Sequence, residues 1–121
     1  MMTSRRLRIL AAALAALGPS VAAADGTGVH DVKIAVFQFQ PAELRISPGE
    51  TVRWANMDGI QHSATATATL SDGGPVFDTM FLGKGETREA TFTQPGTYTY
   101  FCRRHPSMTG TIVVAAVGAA P

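Results

Sequence analysis

From Asp31 to Ala115 the chain never keeps a helical period through three turns. Its apolar residues alternate instead, in runs of six to nine residues separated by breaks rich in Pro, Gly, Asn and Asp. In Asp31–Phe39 strict alternation places Val32, Ile34 and Val36 on one face. Ala42–Ser47 follows Pro41 and is closed by the turn signal Pro48–Gly49–Glu50. Thr51–Asn56 alternates again, with Val52 and Trp54 on one side, and Trp54 is expected in the core. His62–Leu70 interleaves threonine with alanine, which suits a strand better than a helix. Glu86–Phe92, Thr97–Cys102 and Thr109–Ala115 complete the set, while Val76–Lys84 fits a loop, a short helix or an irregular strand. Seven or eight short strands in fewer than 100 residues predict an all-β, two-sheet sandwich.

The first 24 residues stand apart from this pattern. A basic start with Arg5, Arg6 and Arg8 leads into the nine apolar residues Ile9–Leu17. Gly18 and Pro19 break that run, and Ala22–Ala24 offer small residues for cleavage. This is the layout of a secretory signal peptide. A membrane anchor would need about 20 apolar residues, so none is expected. The predicted division is residues 1–24 as a cleaved signal and residues 25–121 as one domain, exported to the periplasm. Without the three arginines the formal charge changes from +1 to −2. No basic stripe marks a nucleic-acid binder, and a monomer is expected.

Export sharpens the meaning of the single cysteine. Cys102 can make no internal disulfide, so in an oxidising compartment it must be buried, paired with another chain or bound to something. His105 follows it by three residues and Met108 follows His105 by three, across a short loop between two predicted strands. A thiolate, a ring nitrogen and a thioether can therefore converge on one point. His62, at the head of an earlier strand, is the best candidate for a fourth donor. Two imidazoles, a thiolate and a long axial thioether form the ligand set of a blue-copper site. Structural zinc normally draws its four ligands from Cys and His without methionine, so copper is favoured. Each residue alone has a plainer reading, as a buried thiol, a strand-end histidine or a core methionine; the shared spacing sets those readings aside. Met57 and Met80 lack that spacing and read as apolar filler, and His30 as a solvated histidine.

The motif C-x-x-H-x-x-M after Pro95–Tyr100, with a histidine on an earlier strand after Val52–Asn56, resembles the cupredoxins. Amicyanin-like and pseudoazurin-like electron carriers are the nearest in pattern. The likeness covers about residues 31–115. It implies a Greek-key sandwich and one copper ion held by His62, Cys102, His105 and Met108. It also implies a carrier of single electrons rather than an enzyme, since a multicopper enzyme would need further histidines and His30 alone is left over. A copper-delivery or sequestering protein with the same ligands is the alternative. Two positions depart from the family: Ser63 stands where an asparagine often ties the ligand loops together, and Arg103 where Ser or Thr is common. The implied partners are transient redox proteins, docking on an apolar rim that includes Ile60 and Pro106. Arg103 and Arg104 would favour an acidic docking surface on such a partner.

Overall fold

The computed structural model describes residues 26–116. The expected signal peptide lies outside the described residues, as does all but the first residue of the tail 116–121, which has no charge and little to pack and is expected to fray. Eight strands form two four-stranded sheets: β1 (Val29–Ala35), β2 (Gln38–Gln40), β3 (Glu43–Ile46), β4 (Glu50–Asn56), β5 (Thr65–Ala66), β6 (Thr87–Phe92), β7 (Gly96–Phe101) and β8 (Thr109–Val114). One sheet has the order β2-β1-β4-β6 and the other β3-β8-β7-β5. β1 lies parallel to β4 and β3 parallel to β8, while the remaining neighbours are antiparallel. This is the expected all-β Greek-key sandwich, and no helix occurs among the described residues.

The alternation read from the sequence sets the inner faces. Val32, Ile34, Val52, Trp54 and Phe92 come from the first sheet, and Ile46, Tyr100, Ile112 and Val114 from the second. Burying each of the larger side chains contributes about 1.5–3 kcal/mol. Trp54 and Tyr100 meet edge-on at the centre with ring centroids 5.5 Å apart.

Val36 departs from its predicted face. β1 ends at Ala35, and Val36 and Phe37 turn the chain with φ of 52° and 58°, leaving Val36 exposed. The predicted strand over His62–Leu70 is regular only at Thr65–Ala66. Outside that pair the chain bends at Thr67–Ala68, and isolated bridges run from His62, Thr65 and Thr69 to Leu82, Asp78 and Pro75. The uncertain stretch before Lys84 is therefore an irregular strand running along this one.

Candidate metal centre

The C-terminal ends of β1, β4 and β7 and the start of β8 meet at one pole of the sandwich, and the cysteine, two of the histidines and Met108 gather there. Asn56 closes β4 with its amide fully buried. Its Nδ2 donates to the carbonyls of Ile60 (3.0 Å) and Leu82 (2.7 Å), and its Oδ1 accepts from Asp58 N (3.0 Å). The turn that follows is thus wound about one side chain and delivers His62. Reciprocal backbone bonds between His62 and Leu82 (3.2 and 2.8 Å) then fix it. On the other side, Cys102 leaves β7 into a loop closed on itself. Cys102 N donates to Met108 O, His105 N to Cys102 O, and Met108 N to His105 O, at 2.8–3.2 Å. The three-residue spacings seen in the sequence are the spacings of these turns.

Cys102 and His62 have no solvent exposure, Met108 has 6%, and His105 is half-buried. Cys102 Sγ lies 3.7 Å from His62 Nδ1 and 4.0 Å from His105 Nδ1. One ligand atom from each of the three residues falls within 4.8 Å of the others. The donor set fits an ion. Metal bonds of about 2.0 Å to nitrogen and about 2.3 Å to sulfur, opened to a trigonal angle, place such atoms about 3.7 Å apart. The backbone N–H of Ser63 points to Cys102 Sγ at 3.4 Å, the contact a charged sulfur accepts. His30 lies near the opposite end of β1 and bonds Glu50 at 3.0 Å, outside the site.

Two residues at the site carry no signal in the sequence. Asp58 accepts His62 Nε2 at 2.9 Å, and it also accepts the backbone N–H groups of Val36 (2.8 Å) and Phe37 (3.0 Å). The Phe37 N–H, above all, holds the Asp58 carboxyl below the usual carboxylate range; partial burial opposes it, and Val36 and His62 reinforce it. One carboxylate thus fixes the His62 ring with Nδ1 toward the sulfur and clasps two residues in left-handed backbone. Such backbone costs on the order of 1 kcal/mol or more per residue. Phe37, so held, sets its ring edge-on to both histidines, with centroids 5.1 Å from His62 and 4.9 Å from His105. An acid four residues before a histidine is too common a spacing to have pointed to Asp58.

The two departures from the family pattern prove to be connected. Ser63 Oγ accepts the backbone N–H of Arg103 at 3.0 Å, so a serine does tie the ligand loops. The Arg103 guanidinium turns to Asp78, 2.9 Å from Nη2 and 3.2 Å from Nε. Of the two arginines expected to steer a partner, Arg103 is therefore paired. Ile60, Pro106 and Arg104 are exposed as expected. Tyr98 and Tyr100 both face inward, and Tyr98 packs on Phe92 and donates to Gln94 O rather than flanking the site.

Residues 27–115 match the model of the family "Copper binding proteins, plastocyanin/azurin family". Amicyanin-alpha of Methylorubrum extorquens is 36% identical over 118 residues, covering 90% of this chain and 98% of the relative. Amicyanin of Paracoccus denitrificans is 33% identical over 96 residues, with 79% and 72% covered. Among solved structures, the Cu(I) form of an amicyanin variant superposes with a TM-score of 0.67 at 32% identity, covering 78% of this chain and 89% of that one. Sandwich, donor cluster and relatives agree: the chain is a cupredoxin, a member of the plastocyanin/azurin family of copper-binding proteins.

Proposed function

We propose that this chain is a periplasmic blue-copper protein that carries one electron at a time, with His62, Cys102, His105 and Met108 as the ligands of its single copper ion. Bound copper supplies the one-electron couple; the chain supplies its cage. The carrying observation is that a fully buried sulfur faces two imidazole nitrogens at 3.7 and 4.0 Å, with a buried methionine bonded through its main chain to the same loop. Little in such a cage can move. His62 is locked by Asp58 and Leu82, and the Cys102 loop by its own backbone bonds. The same burial argues against a protein that hands its metal on. Of the two imidazoles facing the sulfur, His105 is the one with solvent exposure, so it is the exit for the electron.

Phe37 and Pro106 beside His105, together with Ile60, are exposed and offer the apolar rim on which a redox partner docks transiently. Arg104 gives that rim one positive charge for an acidic partner, and an association rate independent of salt would count against such steering. Cleavage after Ala24 would leave residues 25–121 as the working, monomeric domain. The deciding experiment is the visible spectrum of the copper(II)-loaded protein. Intense charge-transfer absorption that disappears in Cys102→Ser supports the reading; a colourless protein, or a thiol still freely alkylated with copper present, overturns it.

A further inference from the structure

Behind the ligand loop, four side chains close a circuit of hydrogen bonds. Asp78 is 12% exposed at its side chain and takes the Arg103 guanidinium on Oδ2. Its Oδ1 is 3.0 Å from Thr65 Oγ1. Thr65 Oγ1 is 2.9 Å from Ser63 Oγ, which accepts the Arg103 backbone N–H. The charge on Asp78 sets the direction of every bond. A carboxylate only accepts, so the Thr65 hydroxyl must donate to it. Ser63 must then donate to Thr65, and its lone pair is left facing Arg103 N–H. Ser63 and Thr65 are buried, so neither hydroxyl can turn to water instead.

The circuit joins three pieces of chain: the strand after His62, the residue after Cys102 and the irregular strand at Asp78. Asp78 also accepts Met80 N at 2.8 Å, which anchors its own segment. As a surface ion pair alone, Asp78–Arg103 would contribute about 0–1 kcal/mol. Its consequence lies in the bonds that it orients, because Ser63 sits between His62 and the circuit and points its own N–H at Cys102 Sγ.

We propose that Asp78, acting through Arg103, Thr65 and Ser63, is a positioning residue for the copper centre that holds the Ser63 N–H on the Cys102 sulfur and the Cys102 loop against the His62 strand. In this chain the serine and the arginine at the two departing positions do together what a side-chain tie does elsewhere in the family. The proposal rests on the copper reading above. A hydrogen bond to the sulfur draws charge from it and favours the reduced ion, so loosening the circuit lowers the reduction potential.

The test compares the copper-loaded protein with Asp78→Asn, Arg103→Gln, Ser63→Ala and Arg45→Gln. Asp78→Asn keeps the shape of the side chain, and Arg103→Gln opens the circuit from its exposed side, so the test does not depend on one variant folding. Asp78→Asn, Arg103→Gln and Ser63→Ala are expected to lower the potential, shift the sulfur charge-transfer band and speed copper loss to a copper(I) chelator by about tenfold. Arg45→Gln, on the exposed face of β3 and away from the site, is expected to match the wild type. A double variant of Ser63 and Asp78 should be no worse than the more impaired single one, as members of one network are not additive. Variants that melt earlier but keep the wild-type band, potential and release rate overturn the proposal alone. A colourless wild type overturns the copper reading and this proposal with it.

Discussion

Asp58 has two carboxylate oxygens and three N–H groups to satisfy: Val36, Phe37 and His62 Nε2. Asp58→Asn leaves one acceptor oxygen and sets an amide N–H against at least one donor. That orphaned donor costs about 1–3 kcal/mol, so a lower denaturant midpoint is expected. The His62 ring also loses an anionic partner that raises its basicity as a ligand. A less basic ligand favours the reduced ion, so voltammetry should show a higher potential, opposite in sign to the Asp78 variants. An unchanged potential would show that Asp58 only braces the turn. At this scale the sequence is informative about the atoms proposed to bind and silent about atoms that orient. Cys102, His105 and Met108 are legible because their spacing along the chain is their spacing in space. Asp58 meets Val36 across 22 residues, and only the closure of two turns brings them together.

Strands were legible wherever alternation coincided with one buried face, as in β4, β7 and β8. They were misread where the pole of the molecule interrupts a run. Val36 continues the alternation in sequence, but the chain turns there and sends it to solvent. His62–Leu70 is hydrogen-bonded to β7 on one side and to residues 75–82 on the other, and neither pairing is regular beyond Thr65–Ala66. Threonine content alone cannot report that. The β7–β8 pair carries a constraint that composition hides. Gly110 lies directly opposite Tyr100, and a Cβ at that position would fall on the Tyr100 ring. The ring cannot yield easily, being packed edge-on against Phe39 at 4.7 Å and Trp54 at 5.5 Å. Gly110→Ala should therefore destabilise by about 1–3 kcal/mol, the usual cost of overpacking. Gly59, whose added Cβ meets nothing within 4 Å, is the control. Equal chemical stability of the two alanine variants would refute this account of β7 and β8.

The two sheets are joined across the middle by an aromatic contact that has a polar cost. Neither Trp54 Nε1 nor Tyr100 Oη has a partner within hydrogen-bond geometry, although both are buried. Burial pushes the Tyr100 phenol up to about 12, and the nearby Trp54 N–H only partly offsets this. In the unfolded chain the same phenol ionises near 10. A raised folded value means that the neutral form is the one folding favours. Its contribution is complete below about pH 10 and is lost as pH rises toward 12, because only the unfolded chain gains by ionising. At pH 11 that linkage amounts to about 1.4 kcal/mol. Tyr100→Phe keeps the ring and its packing, removes an unsatisfied hydroxyl and abolishes the titration. Urea unfolding at pH 7 should place the variant within about 1 kcal/mol of the wild type. At pH 11 it should have gained on the wild type by the linkage amount, with Tyr98 and the lysines common to both and cancelling. Parallel stability curves across that interval would mean that water reaches the hydroxyl, and that the seam between the sheets is not the dry contact that places the copper pole on a rigid base.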